Sequence, residues 1–131
     1  MELDKEKLKN FDKLPPDVRR QFSLLMNRYA EKKKQSKIKK DFMAFVKHVW
    51  PDFIEGKHHK EVAQKFNEIA DGKIKRVIIN MAPRHTKSEF ASYLLPAWMV
   101  GRNPKLKIIQ STNTTELSVR FGRKAKALMD S

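Results

Sequence analysis

The hydrophobic period first departs from helical spacing after Gly72, and that change limits the folds that this chain can adopt. Up to Gly72 apolar side chains recur at helical spacing, whereas RVIINM, from Arg76, is a continuous apolar run with β-branched residues. Such a run is typical of a strand buried on both faces in a parallel sheet. A polar stretch ending in Lys87 and Ser88 follows it directly. The sequence therefore predicts helices first and a strand-loop-helix unit afterwards.

Three helices are predicted before the change of period. The first covers LPPDVRRQFSLLMNRYAEKKK, and the lysine run that follows it is predicted to become a linker. The second covers KKDFMAFVKHVW and is stopped by Pro51, and the third covers KHHKEVAQKFNEIADG and is closed by Gly72. The first fourteen residues are too polar to be predicted as a packed element.

After the change of period we predict an α/β arrangement with a partial parallel sheet. The first strand is RVIINM, and it is followed by a helix, SEFASYLLPAWMVG, that Pro96 kinks or ends. A turn and a second strand follow in NPKLKIIQST, and the last helix is TTELSVRFGRKAKALM. Two strands do not complete a sheet buried on both faces. We therefore expect this chain to be the front portion of a larger architecture.

Composition limits the partners and the compartment. The net charge is +14, with 13 basic and 6 acidic residues in 1–40, 7 and 6 in 41–80, and 9 and 3 in 81–131. Such an excess raises the affinity for nucleic acid, although a lysine-rich solvated surface has the same composition. The chain has no cysteine, so disulfides and thiolate metal sites are excluded. Without a long apolar run or a signal peptide, we expect a soluble cytoplasmic protein.

The loop before the fourth helix carries part of a phosphate-binding pattern, G-x-x-x-x-G-K-[ST]. Met81 and Thr86 replace the two glycines, and Lys87 and Ser88 complete it. The Lys87 ammonium can reach terminal phosphates, the Ser88 hydroxyl can ligate Mg²⁺, and backbone N–H groups add partial positive charge. However, β-branched Thr86 resists the positive φ that glycine adopts. On this pattern alone, a turn capped by Thr86 or Ser88 is the favoured alternative.

A longer match favours the nucleotide site. The segment INMAPRHTKSEFASYLLPAWMVGRNP resembles the ATPase loop (Walker A) region of the large terminase subunit of tailed bacteriophages. That family often carries a deviant loop of the form P-P-R-H-x-K-S, with glycine or another small residue where this chain has Thr86. The likeness extends through FIEGKHHKEVAQKFNEIADGKIKRVIIN upstream and IIQSTNTTELSVRFGRKAKALM downstream, over roughly residues 41–131.

The resemblance implies a P-loop NTPase-like α/β fold over 41–131, preceded by a basic helical segment over 1–40. Large terminases are ATP-driven motors that thread double-stranded DNA into a preformed capsid, and they also carry an endonuclease. The expected cofactors are ATP and Mg²⁺. The expected partners are double-stranded DNA, the small terminase subunit and the portal protein, with a homo-oligomeric ring for the full-length protein in the host cytoplasm.

The resemblance also implies roles for individual residues. Lys87 and Ser88 would hold the phosphates and Mg²⁺, and Arg84 would contact the γ-phosphate or stabilise the transferring charge. The implied nucleotide-binding set is Ala82, Pro83, Arg84, His85, Thr86, Lys87, Ser88 and His59. His58 and His59 fall near the adenine-binding stretch. One of them contacts the base, or both are polar residues near a helix start; because adjacent helical residues face different ways, they are not expected to share a metal.

Two further polar groups have open interpretations. Arg120, Arg123 and Lys124 could contact DNA or reach a neighbouring subunit as a trans-acting arginine. The alternative is a solvated basic helix face, and for each residue taken by itself we favour this alternative. Residues 110–115, QSTNTT, sense phosphate or cap the last helix, and we favour capping.

The chain also departs from the family. The Mg²⁺-coordinating Asp and catalytic Glu that follow an apolar strand (Walker B) have no counterpart, nor do the nuclease aspartates, and Asp130 cannot fill either role. We therefore expect weak ATP binding and little hydrolysis from this chain alone. Two alternatives remain, namely a non-enzymatic basic nucleic-acid-binding module with a vestigial loop, and another P-loop class such as a helicase.

Overall fold

The computed structural model describes residues 15–130, so the first fourteen residues lie outside the description. The regular elements of this range are helices. They are α1 (Pro16–Lys40), α2 (Phe42–Val49), α3 (Lys57–Ala70), α4 (Lys87–Glu89), a π-helical turn (Phe90–Leu94), α5 (Leu95–Arg102) and α6 (Thr115–Met129). The chain divides between Ser36 and Lys37 into two compact units. None of the helices in the described range is long and apolar enough to cross a membrane.

The predicted P-loop NTPase-like α/β fold with a partial parallel sheet is wrong. From residue 15 to residue 130 no segment forms a strand, and both apolar runs lack regular structure. Ile78 is 88% exposed and Ile109 is 97% exposed, although the prediction required burial on both faces. A strand needs a neighbouring strand to pair its backbone N–H and C=O groups, and the described residues supply none. The described chain is therefore helical with irregular connections.

Helix α1 is longer than predicted because it continues through the lysine run to Lys40. Lysine is a good helix former, and Lys37, Lys39 and Lys40 in the last turn interact favourably with the helix dipole. The predicted linker is therefore wrong. No side chain of α1 is buried, and all of its basic residues except the half-buried Arg19 are exposed.

The second and third predicted helices are confirmed, and each has a local start or stop signal. Asp41 caps α2, because its carboxylate accepts a hydrogen bond from the Ala44 N–H at 3.1 Å. Gly72 follows α3 with a φ of 75°, the left-handed conformation that commonly ends a helix. These boundaries depend on contacts only a few residues apart, which is why the sequence pattern predicts them.

The helical stretch from Lys87 to Arg102 contains a wider turn at Phe90–Leu94. The Leu95 N–H donates to the Phe90 carbonyl, five residues back. Pro96 follows immediately, and its missing N–H leaves the carbonyl one turn earlier without its usual donor. Pro96 does not end the helix. The departure from α geometry occurs just before it, and such π-helical turns are frequent at functional sites.

An aromatic core lies within the unit that begins at Lys37. The Phe42 ring is fully buried and meets Phe66, Phe90 and Trp98 edge-on, with ring centroids 5.1, 5.4 and 5.4 Å away. Phe90 lies just after the loop that ends at Lys87. The core therefore anchors the helical end of the candidate loop to α2 and α3.

Candidate functional site

The loop at residues 82–88 takes an unusual backbone conformation. Arg84 has a φ of 65°, and Thr86 has a φ of 57° and a ψ of 10°, so both are left-handed. This conformation costs a residue with a Cβ about 1–2 kcal/mol, and a β-branched residue is a clear outlier there. Thr86 therefore adopts the positive φ that its residue type disfavours. It does so at the position where the phosphate-binding pattern has its second glycine.

The sign of φ alternates from Arg84 to Thr86 in this loop. His85 has a negative φ, because Arg84 and Thr86 are the only non-glycine residues of the described chain with positive values. Lys87 returns to helical geometry. In anion-binding nests, consecutive residues alternate in this way, so that their N–H groups point toward one concavity. Two residues of the loop thus have a positive φ of the kind found in anion-binding nests, and neither is a glycine.

The start of the following helix has no side-chain cap. Thr86 occupies the N-cap position, but its hydroxyl donates to the His85 carbonyl at 2.7 Å instead of accepting from the first-turn N–H groups. The N–H groups of the first helical turn are normally capped by such a side chain or by an anion. A turn capped by Thr86, one of the two caps that the alternative interpretation from sequence allowed, therefore does not describe this loop.

The cationic side chains of the loop and its serine are exposed, unlike the hydroxyl of Thr86. Arg84, Lys87 and Ser88 are exposed, and neither cation forms an ion pair within residues 15–130. Lys87 and Ser88 also line a cleft of about 370 Å³ whose other walls are largely apolar. Those walls come from the following residues: Phe66, Ile69, Val77, Ile79, Ala91, Ser92 and Leu95. The two groups assigned to phosphate and Mg²⁺ thus lie together at one cleft.

His59 contacts this loop from α3. Its side chain is only 7% exposed, and its Nε2 lies 2.7 Å from the Thr86 Oγ1. The backbone N–H of Gly56 donates to His59 Nδ1 at 2.9 Å. Both ring nitrogens of His59 are therefore engaged within the protein. The structure places this predicted base-contacting residue against the loop itself.

The three neighbouring histidines form a cluster. His58 Nε2 lies 3.0 Å from His59 Nε2, and the His58 and His85 ring centroids are 5.4 Å apart. The expectation that adjacent histidines face different ways is wrong for this pair, because their ring centroids are only 3.8 Å apart. Within the described range, no group of three His, Cys, Asp or Glu side chains is arranged to hold a metal ion.

The environment of His59 favours its neutral form. Burial lowers the pKa of His59 below its ordinary 6.5, and the nearby His58 and His85 lower it further, while Glu55 acts in the opposite direction. The Phe53 and Phe90 rings, with centroids 4.8 and 5.3 Å from the imidazole, supply the low-dielectric contacts. At neutral pH, His59 is therefore an uncharged hydrogen-bonding residue.

The basic residues of α6 lie apart from this cluster in sequence and differ from one another. Arg120 and Arg123 are exposed and line an open cleft of about 530 Å³. Lys124 lies with its Nζ 5.0 Å from the centre of the Tyr93 ring, a cation–π contact. The hydroxyl of Thr114 accepts from the Leu117 N–H at 3.3 Å, which confirms the capping role favoured for this residue. Asp130 ends α6 and is exposed.

The pairing of His59 with Thr86 was missed by sequence analysis, because the two residues are 27 positions apart. One local signal was available. A histidine at the third position of a helix can accept a hydrogen bond from the N–H of the residue that precedes the helix, as in a capping box. That signal predicts the Gly56–His59 bond but not the loop residue beyond it.

Comparison of the chain with protein-family models, with curated proteins and with solved structures finds no match.

Proposed function

We propose that residues 82–88 bind the phosphate groups of ATP together with Mg²⁺, and that this chain is the N-terminal part of a DNA-packaging motor of the large-terminase type. One observation carries the proposal. Thr86, at a glycine position of the phosphate-binding pattern, takes a left-handed φ of 57° despite its β-branched side chain. Backbone strain of this kind persists where the surrounding structure enforces it, and it concentrates at ligand sites.

Each proposed role follows from the chemistry of an exposed group. The Lys87 ammonium pairs with the terminal phosphates, and the Ser88 hydroxyl ligates Mg²⁺. The Arg84 guanidinium contacts the γ-phosphate, where it can stabilise transferring charge. Arg84 and Lys87 have no acidic partner in the described part of the chain, so a triphosphate displaces no existing ion pair.

The packaging role is supported by the resemblance of residues 41–131 to large terminases and by the distribution of charge. Helix α1 carries nine basic and two acidic residues over 25 positions, a largely basic surface roughly 37 Å long. We propose that α1 contacts the backbone of double-stranded DNA, and that Arg120 and Arg123 contact DNA or a neighbouring subunit. The proposed setting is the host cytoplasm, with the small terminase subunit, the portal protein and a homo-oligomeric ring as partners.

A titration with a fluorescent ATP analogue in the presence of Mg²⁺ tests the nucleotide site. Lys87→Ala should raise the dissociation constant at least about tenfold, the equivalent of ~1.4 kcal/mol of lost charge pairing. Lys126→Ala, which removes an exposed lysine from α6, is the matched control and should leave the constant unchanged.

Equal nucleotide affinity in the wild type and in Lys87→Ala would contradict the proposal. Retained DNA affinity in that case would favour the alternative function, a basic nucleic-acid-binding module with a vestigial loop. The salt dependence of DNA binding does not separate the two functions, because both rely on phosphate contacts.

A further inference from the structure

We propose that His59 is the positioning residue of this loop, and that its Nε2–H bond to the Thr86 hydroxyl holds Thr86 in the left-handed conformation that glycine supplies elsewhere. The inference deepens the proposed function, on which it rests, because it names the residue that keeps the phosphate-binding loop in shape. His59 is buried beneath the loop and acts through Thr86, so it is not itself expected to touch the nucleotide.

The direction of each hydrogen bond in this network follows from its donors. The Gly56 N–H can only donate, so His59 Nδ1 accepts and carries no proton. A neutral imidazole then has its proton on Nε2, which faces Thr86 Oγ1 at 2.7 Å and His58 Nε2 at 3.0 Å, and we assign the hydrogen bond to Thr86 because that contact is shorter. The Thr86 hydroxyl donates its own proton to the His85 carbonyl at 2.7 Å. The chain of donors therefore runs from Gly56 through His59 to Thr86 and His85.

This network constrains the backbone on the N-terminal side of Thr86. The hydroxyl accepts from α3 and donates to the peptide unit that immediately precedes Thr86, so the side chain cannot rotate without breaking one of the bonds. The His85 carbonyl belongs to that same peptide unit, and its orientation is defined by the φ of Thr86. A threonine can thus keep a positive φ here because the His59 Nε2–H donates a hydrogen bond to its hydroxyl oxygen.

The position of His59 is itself closely determined. Its ring packs against Phe53 and Phe90, with centroids 4.8 and 5.3 Å away, and Phe90 belongs to the helical stretch that follows the loop. A Cβ added at Gly56 would lie 2.9 Å from His58 Cε1 and 3.4 Å from His59 Nδ1. A side chain at residue 56 would therefore displace the His58 ring, whereas its contact with His59 Nδ1 would be an ordinary van der Waals distance.

The neighbours of His59 make the network sensitive to protonation. The His58 ring lies against His59, and the His85 ring lies against His58. Both histidines lower the pKa of His59, Glu55 acts in the opposite direction, and Phe53 and Phe90 carry no charge. A proton added to Nδ1 would make this nitrogen a donor that faces the Gly56 N–H, so the hydrogen bond between them would be lost. The network in this form therefore requires neutral His59.

The test is a double-mutant cycle on ATP affinity between His59 and Thr86. His59→Phe keeps a ring but removes both nitrogens, and we expect about tenfold weaker binding, within the range for residues in direct contact. In a Thr86→Gly background, His59→Phe should weaken ATP binding by less than about twofold, since glycine needs no support at positive φ. His59→Gln, which can present an amide N–H near the Nε2 position, should restore most of the affinity.

His48→Phe on α2, which removes an exposed histidine, is the matched control and should have no effect. An equal loss of affinity in the wild-type and Thr86→Gly backgrounds would overturn the inference, because His59 would then act only through general stability. Circular dichroism and thermal unfolding of each variant identify any that fails to fold.

A second measurement needs no nucleotide. Long-range ¹⁵N–¹H correlation at pH 7.5 should show His59 protonated at Nε2 and unprotonated at Nδ1, and Thr86→Val should shift the Nε2 resonance. The opposite tautomer would overturn the inference even if ATP binds. If Lys87→Ala leaves ATP affinity unchanged while this tautomer is observed, the proposed function fails and the positioning role of His59 stands.

Discussion

The side chain of Asn67 joins α3 to the start of α2 through Asp41. Its Nδ2 donates to Asp41 Oδ1 at 3.0 Å, and its Oδ1 accepts from the Phe42 N–H at 2.8 Å. Asp41 uses its second oxygen to cap α2 through Ala44. Two residues 26 positions apart thus hold the helix that carries Phe42 against the helix that carries His59. These polar contacts add to the packing of Phe42 of α2 against Phe66 of α3.

Removing either member of this pair should destabilise the fold. Asp41→Ala and Asn67→Ala should each lower the free energy of unfolding by about 1–2 kcal/mol, through the loss of a cap or of a partly buried bond. The loss of stability in the double variant should be at least ~0.5 kcal/mol smaller than the sum of the two single losses, because each single change already removes the Asn67–Asp41 hydrogen bond. Urea unfolding measures this, with Asn113→Ala as the exposed control. Additive losses would show that the bond contributes nothing.

Truncation of Phe42 should be the most damaging single change in the core. Its ring is 0% exposed and meets three other aromatic rings edge-on, so Phe42→Ala should cost about 3–5 kcal/mol. Leu25→Ala on α1, where the side chain is 64% exposed, should change the free energy of unfolding by less than ~0.5 kcal/mol. Chemical denaturation of both variants checks the contrast. Comparable losses would mean that the aromatic cluster is not the main core.

The positive φ of Arg84 can be tested by comparing two substitutions. Arg84→Gly should be more stable than Arg84→Ala by about 1 kcal/mol, because only glycine adopts a φ of 65° without a steric penalty. Both variants should bind ATP more weakly than the wild type, since each removes the guanidinium. Thermal unfolding and ATP titration measure the two effects separately. If alanine is as stable as glycine, the left-handed conformation of Arg84 is absent in solution.

Stability should fall on mild acidification because of His59. Burial lowers its pKa below 6.5, so below that pH the unfolded chain binds a proton that the folded chain does not. The free energy of unfolding should therefore decrease as pH falls from about 6.5 toward the lowered pKa, and this residue should contribute no change above that range. The effect should be smaller in His59→Gln, measured by urea unfolding at pH 7.5 and 5.5. Identical pH dependence in both proteins would exclude His59 as its source.

The helices could be predicted because their determinants are local. Phe42 and Val46 recur at helical spacing, and Asp41, Gly72 and Thr114 mark boundaries through bonds to residues a few positions away. The apolar runs around Ile78 and Ile109 were predicted as strands from the local pattern of apolar and β-branched residues. A strand depends on a distant partner, and the described chain provides none, so the prediction was wrong.

The sequence by itself determined the helices α2, α3 and α6 and the grouping of Arg84, Lys87 and Ser88 in one loop, because helical hydrogen bonds and loop neighbours are close along the chain. Only the tertiary structure decided that Thr86 adopts a left-handed φ and that His59 supports it. Residue type opposes that φ, and a hydrogen bond spanning 27 positions stabilises the loop only after α3 and the helical stretch following the loop have packed around Phe42 and Phe90.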